Sequence, residues 1–266
     1  MVYYRNFVRI RTTICAAAAS SRRQSGRYAR KLESIQDFKE LAPDRVHLAA
    51  LDVTNKEQIQ SAVQEAVDVF GKIDIVVNNA GYGLFGMMEE YTDEQIRKQF
   101  DVNVFGVLDV IRATLPVFKR QGSGHYVNFS SFFGTWSMPP YSIYAASKFA
   151  VEGFSEAFAQ EFAGFGIKTT IVEPSVFATE FFGGSMQHTE KKQEYAPLYE
   201  GYEKGMSNIK TGDPAKAVQL IISVIKSDNS PLRLAVGSQA AYTIREAYIK
   251  RLEEVNTWFE RSAEAD

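Results

Sequence analysis

The chain has 266 residues, 45% hydrophobic and 23% charged, with a formal net charge of -2, which is enough for one sizeable core and argues against nucleic acid as the main partner, since no basic excess exists to displace counterions. A single cysteine, Cys15, excludes an intrachain disulfide, and three scattered histidines, His47, His125 and His188, offer no metal-ligand spacing, so a reducing, cytoplasmic setting and metal-free chemistry are expected. No apolar run approaches the roughly 18 residues of a membrane span, and there is no internal repeat.

In chain order, residues 1–28 stand apart. They are rich in arginine (Arg5, Arg9, Arg11, Arg22, Arg23, Arg27), carry Ser20, Ser21 and Ser25, and have no acid before Glu33. That composition matches a mitochondrial leader, although Val2 to Ile10 (VYYRNFVRI) is also β-prone. Val46 to Leu51 reads as a buried strand, and Thr54-x-x-Glu57 as a capping box opening a helix to about Phe70. Ile73 to Asn78 is a short apolar run suited to a parallel strand buried on both faces. Thr92-x-x-Gln95 caps a second helix whose Ile96, Phe100 and Val104 recur at helical spacing. Asn103 interrupts it, and a mid-helix asparagine competes for backbone hydrogen bonds, so it needs a reason. His125 to Ser131 is the next strand. A helix from about Ser142, the strand Ile167 to Glu173, a helix started by Asp213-Pro214, the strand Leu232 to Val236 and an amphipathic helix from about Ala240 complete the α/β pattern.

The stretch SFFGTWSMPPYSIYAASK, Ser131 to Lys148, carries the chemistry. Tyr144 and Lys148 are four apart, hence on one face of a helix, and Ser131 arrives from a strand end, where ligands bind in open α/β sheets. A phenol has an ordinary pKa of about 10, and a neighbouring ammonium favours the phenolate, so Lys148 is expected to tune Tyr144 toward neutrality. Ser131 would donate a hydrogen bond where charge develops on a substrate oxygen. The aromatic and sulfur-bearing residues Phe132, Phe133, Trp136, Met138 and Tyr141 line a substrate pocket or pack as core.

The triple spacing, the YAASK wording and the run IDIVVNNAG at Ile73 to Gly81 together resemble the short-chain dehydrogenase/reductase family, from about Ala29 to the C-terminal helix. The resemblance implies a Rossmann-like, doubly wound parallel sheet with helices on both faces over residues 29–266. It further implies hydride transfer between a nicotinamide cofactor and a carbonyl or alcohol substrate, without nucleic acid or membrane, by a homodimer or homotetramer. Catalysis would fall to Asn103, Ser131, Tyr144 and Lys148, with Asn103 holding a water that links the lysine to solvent. Arg30, where NADP-preferring members carry a basic residue, favours NADP over NAD, a surface arginine being the alternative. Asp52 and Val53 would meet the adenine, although Asp52 also reads as a turn residue. Asn79, Ala80 and Gly81 would approach the cofactor, Lys148 and Tyr144 its ribose, and Pro174 and Thr179 its nicotinamide. Ser175 stands where many members have glycine. The span of about 180–212 is expected to be a mobile lid or a solvated helical excursion.

One departure is large. The family's glycine-rich turn lets the backbone approach a pyrophosphate at a helix N-terminus, yet the first glycine here is Gly26. A mis-spliced or frame-shifted start that rejoins the pattern near Ala29 would account for this. The first β-α-β unit is then altered or missing, which would open the middle of the sheet and leave a family member without catalysis. A surrogate strand within Val2 to Ile10, or an organellar enzyme with a cleaved leader, are the other readings.

Overall fold

The computed structural model describes residues 2–3, 25–30, 46–178, 181, 185–206 and 209–266. Seven parallel strands form its main sheet in the order β3-β2-β1-β4-β6-β7-β9, with β1 Val2–Tyr3, β2 Ser25–Ala29, β3 Val46–Ala50, β4 Ile75–Asn78, β6 Gly124–Phe129, β7 Ile167–Pro174 and β9 Arg233–Val236. A second, two-stranded sheet pairs β5 Gly83–Phe85 with β8 Met186–His188.

The middle of the sheet is closed. Val2 pairs with Gly26 on one side and with Val76 on the other, so two residues of the β-prone start fill the slot of the first strand, correcting the expectation of a gap there. The sheet also reaches back before Ala29, since Ser25–Ala29 pairs along its whole length with Val46–Ala50. The stretch where a phosphate-binding turn would stand, between β1 and β2, lies outside the described residues.

Alternation along the buried strands builds two cores. Val76 of β4 and Tyr126 of β6 face one side, where α1 (Lys56–Phe70) and α3 (Gly106–Gln121) supply Ile59, Ala66, Val110, Ile111 and Phe118. Ile75, Val77, Val127 and Phe129 face the other, against Ala217, Val218 and Ile221 of α6 (Pro214–Ile225). Both faces are covered, which is why these strands read as continuous apolar runs. Burying each such aliphatic side chain stabilises the fold by about 2 kcal/mol before conformational entropy is subtracted.

Caps set the helix ends. Asn55, not Thr54, caps α1 by accepting from the Gln58 N–H, while Gln58 Oε1 reaches back to the Asp52 N–H at 2.8 Å. The expected Thr54–Glu57 box does not form, and Thr54 instead donates its hydroxyl to Asp52 Oδ1 at 2.8 Å. Thr92 and Gln95 cap α2 (Asp93–Phe100) reciprocally, as their spacing predicts. Asp213 caps α6 through the Ala215 N–H.

One buried histidine makes the fold sensitive to acid. His125 is 5% exposed, with Nε2 2.9 Å from Thr170 Oγ1; burial, aided by the Lys168 charge, pushes it down to about 4. The unfolded chain takes up this proton near pH 6.5 and the folded one does not until about 4, so stability is lost as pH falls between those values. At 1.36 kcal/mol per unit the loss is about 3 kcal/mol. Urea unfolding at pH 7 and pH 4 should show this difference shrinking by about that amount in His125→Gln; an unchanged difference would exclude His125 as its source.

Candidate active site

Four elements converge at the C-terminal edge of the sheet. β6 ends at Phe129 and delivers Ser130 and Ser131, both buried. Helix α4, Ser142–Ala163, carries Tyr144 and Lys148 on its inward face, at 3% and 5% exposure. The turn after β4 brings Asn79, Ala80 and Gly81, and the segment joining α2 to α3 brings Asn103. Ser131 lies beside the Tyr144 phenol, and its hydroxyl accepts from the Phe133 N–H at 3.2 Å.

Asn103 has its reason. Residues Asp101–Phe105 form a π-helical turn, closed by the Gly106 N–H on the Asp101 carbonyl, a local widening that recurs at functional sites. The turn sends Asn103 inward, where Nδ2 donates to the Tyr82 carbonyl at 3.0 Å and to Ser147 Oγ at 3.2 Å, while Oδ1 accepts from the Tyr82 N–H at 3.1 Å. The asparagine thus fixes the backbone just after Gly81. A Cβ on Gly81 would stand 3.1 Å from Asn103 Oδ1 and 3.7 Å from Lys148 Nζ. The missing side chain leaves the Gly81 backbone close to the Asn103 amide and the Lys148 ammonium.

The electrostatics differ from the sequence expectation. Lys148 does not pull Tyr144 toward neutrality: its Nζ donates to the Phe129 carbonyl at 2.8 Å and stands 5.8 Å from the centre of the phenol ring. Burial instead pushes the Tyr144 hydroxyl well above its ordinary range, and the Ser131 hydrogen bond offsets only part of that. Burial also pushes Lys148 down to about 8, with the Glu152 carboxylate opposing it. Tyr144 is therefore a neutral phenol at physiological pH, ready to give a proton.

The remaining predicted residues are spread along the same edge. Arg30 is exposed at the end of β2, and its charge reaches the Tyr82 phenol, which burial and Asp101 push up to about 12. Asp52 serves its local turn through the Thr54 N–H at 3.0 Å. Val53 is buried against Gly106, where a Cβ would lie 2.8 Å from Val53 Cγ2. Asn78 ties two strands together, donating to Asn128 Oδ1 at 2.8 Å. Pro174 closes β7 opposite Val236. Ser175 is accommodated because Gly237, at φ 95°, brings its Cα to within reach of the serine: a Cβ there would be 2.4 Å from Ser175 Oγ. Thr179 lies outside the described residues.

A packed aromatic cluster, the chamber of a substrate only if it opens, adjoins Tyr144. Phe133, Tyr141 and Phe181 surround its ring at centroid distances of 6.0, 6.4 and 5.5 Å. The segment from Met186 to Met206, with α5 at Ala196–Met206, covers this chamber. Glu90 fastens it: the carboxylate accepts from the Met87 N–H at 2.8 Å, the Lys192 N–H at 2.8 Å, Thr189 Oγ1 at 3.0 Å and the Tyr199 phenol. Glu89 takes Lys192 Nζ and the Tyr195 phenol. Neither acid was singled out by the sequence reading, because the partners lie about 100 residues away.

Comparison with known proteins agrees with this geometry. The family model described as short chain dehydrogenase matches residues 15–190. Oxidoreductase BOA17 of Botryotinia fuckeliana is 36% identical over 216 residues, covering 80% of this chain and 79% of its own. The crystal structure of a short-chain dehydrogenase from Streptomyces avermitilis superposes with a TM-score of 0.91 at 34% identity, over 100% of this chain and 99% of that one. A structure of ElxO with NADP bound gives a TM-score of 0.74 at 25% identity, over 88% and 96%.

Proposed function

The chain belongs to the short-chain dehydrogenase family and is an oxidoreductase of that family; from that premise we propose that it is an NADP(H)-dependent reductase of apolar or aromatic carbonyl compounds. The observation that carries this is the buried, neutral Tyr144 phenol, set beside Ser131 and packed among aromatic side chains. A protonated phenol is the acid that reduction requires.

A bound nicotinamide nucleotide supplies the hydride. Ser131 donates a hydrogen bond to the substrate oxygen and Tyr144 gives it a proton, so the charge that develops there meets two donors at once. The ammonium of Lys148 lies near the phenol and, with Tyr144, would hold the cofactor ribose, while Asn79, Ala80 and Gly81 would flank the cofactor on a turn that Asn103 fixes. The segment over the chamber acts as a lid that excludes water, held by Glu90. Phe85, Tyr141, Phe181, Met186 and Tyr199 suit a flat or long apolar body on the substrate. Self-association into a homodimer or homotetramer is supported by helix α7 (Ser238–Ala263), on which Tyr248, Leu252, Val255 and Phe259 stand exposed at four-three-four spacing.

NADP is favoured by Arg30, placed at the end of β2 where a guanidinium can hold a 2′-phosphate by paired hydrogen bonds, and by the NADP carried by the similar ElxO structure. Fluorescence titration of the purified chain should show NADPH binding more tightly than NADH. In Arg30→Ala the NADPH affinity should fall about tenfold, with NADH unaffected, as expected for a charge-assisted hydrogen bond. Equal affinities in the unmodified chain would sink the NADP assignment, and no binding of either nucleotide by a folded chain would sink the reductase reading.

A further inference from the structure

Helix α4 carries more than the predicted pair. Tyr144, Lys148, Glu152 and Glu156 follow one another at four-residue spacing and so form a single stripe running from the site to the surface. Tyr144, Lys148 and Glu152 are all buried, Glu152 at 6% exposure. A carboxylate taken out of water is costly unless it is paired and hydrogen-bonded, so its presence one helical turn beyond the lysine calls for a physical account.

Its surroundings are defined on every side. Arg233, from β9, donates Nε to Glu152 Oε2 at 3.0 Å and a terminal nitrogen to Glu156 Oε2 at 2.7 Å. Ser130, from the end of β6, lies close by: a Cβ on Gly134 would be 2.4 Å from Ser130 Oγ and 3.0 Å from Glu152 Oε1. Glu173, on β7, is 2% exposed, and the Tyr248 phenol of α7 also senses the Glu152 charge. Lys148 in turn is faced by Tyr144 and Glu152 from its own helix, by the Phe129 carbonyl from β6 and by the uncharged Asn103 and Gly81.

The charges in this cluster are unequal. Two cations, Lys148 and Arg233, face three carboxyls, Glu152, Glu156 and Glu173. Glu173 has no hydrogen-bond partner for Oε1 among the described residues; burial and the Glu152 charge push it up to about 8, so at neutral pH it stays protonated. Burial pushes Glu152 up as well, against the pull of the Arg233 and Lys148 charges, and its Oε1, like Ser130 Oγ, has no hydrogen-bond partner among the described residues, while Oε2 accepts from Arg233 Nε. The negative charge nearest the catalytic lysine is thereby assigned to one group.

We propose that Glu152 is a positioning residue for the reduction, whose buried carboxylate, held ionised by Arg233, keeps the Lys148 ammonium charged behind the Tyr144 phenol in a site closed to water. It touches neither substrate nor reacting atoms. The proposal rests on the reductase reading, in which Lys148 acts as a cation.

The test follows Lys148 itself. In lysine-labelled protein its side-chain NMR signal, assigned by its loss in Lys148→Met, is titrated in the unmodified chain, in Glu152→Gln and in Arg233→Met. The Glu152→Gln change keeps the side-chain volume and an acceptor for Arg233, so a purely structural ion pair would leave Lys148 unmoved. The expected result is a midpoint lower by about one unit or more in Glu152→Gln, a tenfold or greater loss of ammonium per unit, and a basic limb of kcat/KM that shifts down equally, whereas Arg233→Met, which removes a cation as it unpairs Glu152, should lower the midpoint less. Glu152→Asp, which retains the charge, should restore most of the original midpoint. A Lys148 midpoint unchanged in Glu152→Gln, in a chain that turns over, overturns the inference and leaves the reductase reading standing. A shifted midpoint in a chain with no turnover supports the charge coupling and defeats the reductase reading instead.

Discussion

Tyr144→Phe should lower kcat for carbonyl reduction by about a thousandfold, the middle of the range for loss of a general acid, while leaving nucleotide binding and folding almost untouched. The reason is the narrow duty of the hydroxyl. The ring packs against Phe133, Tyr141 and Phe181, and phenylalanine retains all of that. Removing the oxygen leaves Ser131 the bond it accepts from the Phe133 N–H, so the stability loss should not exceed about 1 kcal/mol. Steady-state rates with saturating NADPH and an aromatic ketone, alongside a nucleotide titration, separate the two effects. Turnover that survives the substitution would show that another group delivers the proton.

The pH dependence of the unmodified enzyme follows from the same electrostatics. Because burial holds the phenol protonated, raising the pH does not remove the acid first. The group that titrates is Lys148, pushed down to about 8. Its charge is present below that value and is lost as pH rises through it. Reduction should therefore fall on the alkaline side with the lysine, whereas a phenol tuned down by that lysine would make the same limb report Tyr144.

This reversal marks where sequence reasoning reaches its limit. The spacing of Ser131, Tyr144 and Lys148 was legible because a helix places i and i+4 on one face whatever surrounds it. The sign of the Tyr144 shift was not, since it depends on how completely Phe133, Tyr141 and Phe181 exclude water. The strand at Ile75 was legible as an apolar run, those at His125 and Ile167 as strand-like segments, and the caps at Thr92 and Asp213 as local chemistry. Ser25–Ala29 was not, because SGRYA lacks β-branched residues and is held in the sheet by Val46–Ala50. The π-helical turn at Asn103 leaves the helical periodicity of Ile96, Phe100 and Val104 intact, so only the misplaced asparagine signalled it. Glu152 carried the same four-residue signal as Lys148 but looks like an ordinary surface glutamate until Arg233, 81 residues later, is brought beside it.

Lys148→Met gives the second large effect, and its combination with Tyr144→Phe tests whether the two act as a unit. Alone, it should lower kcat/KM by about a hundredfold, since the ammonium that favours charge on the substrate oxygen and holds the ribose is gone. In the Tyr144→Phe background the further loss should be only a few-fold, because groups serving one proton transfer are strongly non-additive. Folding responds as well. Without Lys148, Glu152 keeps Arg233 alone against burial, so its carboxyl rises further above its unfolded value. A group raised in this way favours the fold while protonated and opposes it as pH climbs, so the destabilisation measured by urea should grow as pH rises. Its size should remain below the roughly 3–5 kcal/mol of a broken buried ion pair, because Glu152 can take up a proton instead of staying charged. Fully additive kinetic losses would mean that lysine and tyrosine serve separate steps. A destabilisation independent of pH would mean that the lysine stem, rather than its charge, is what the helix needs at this position.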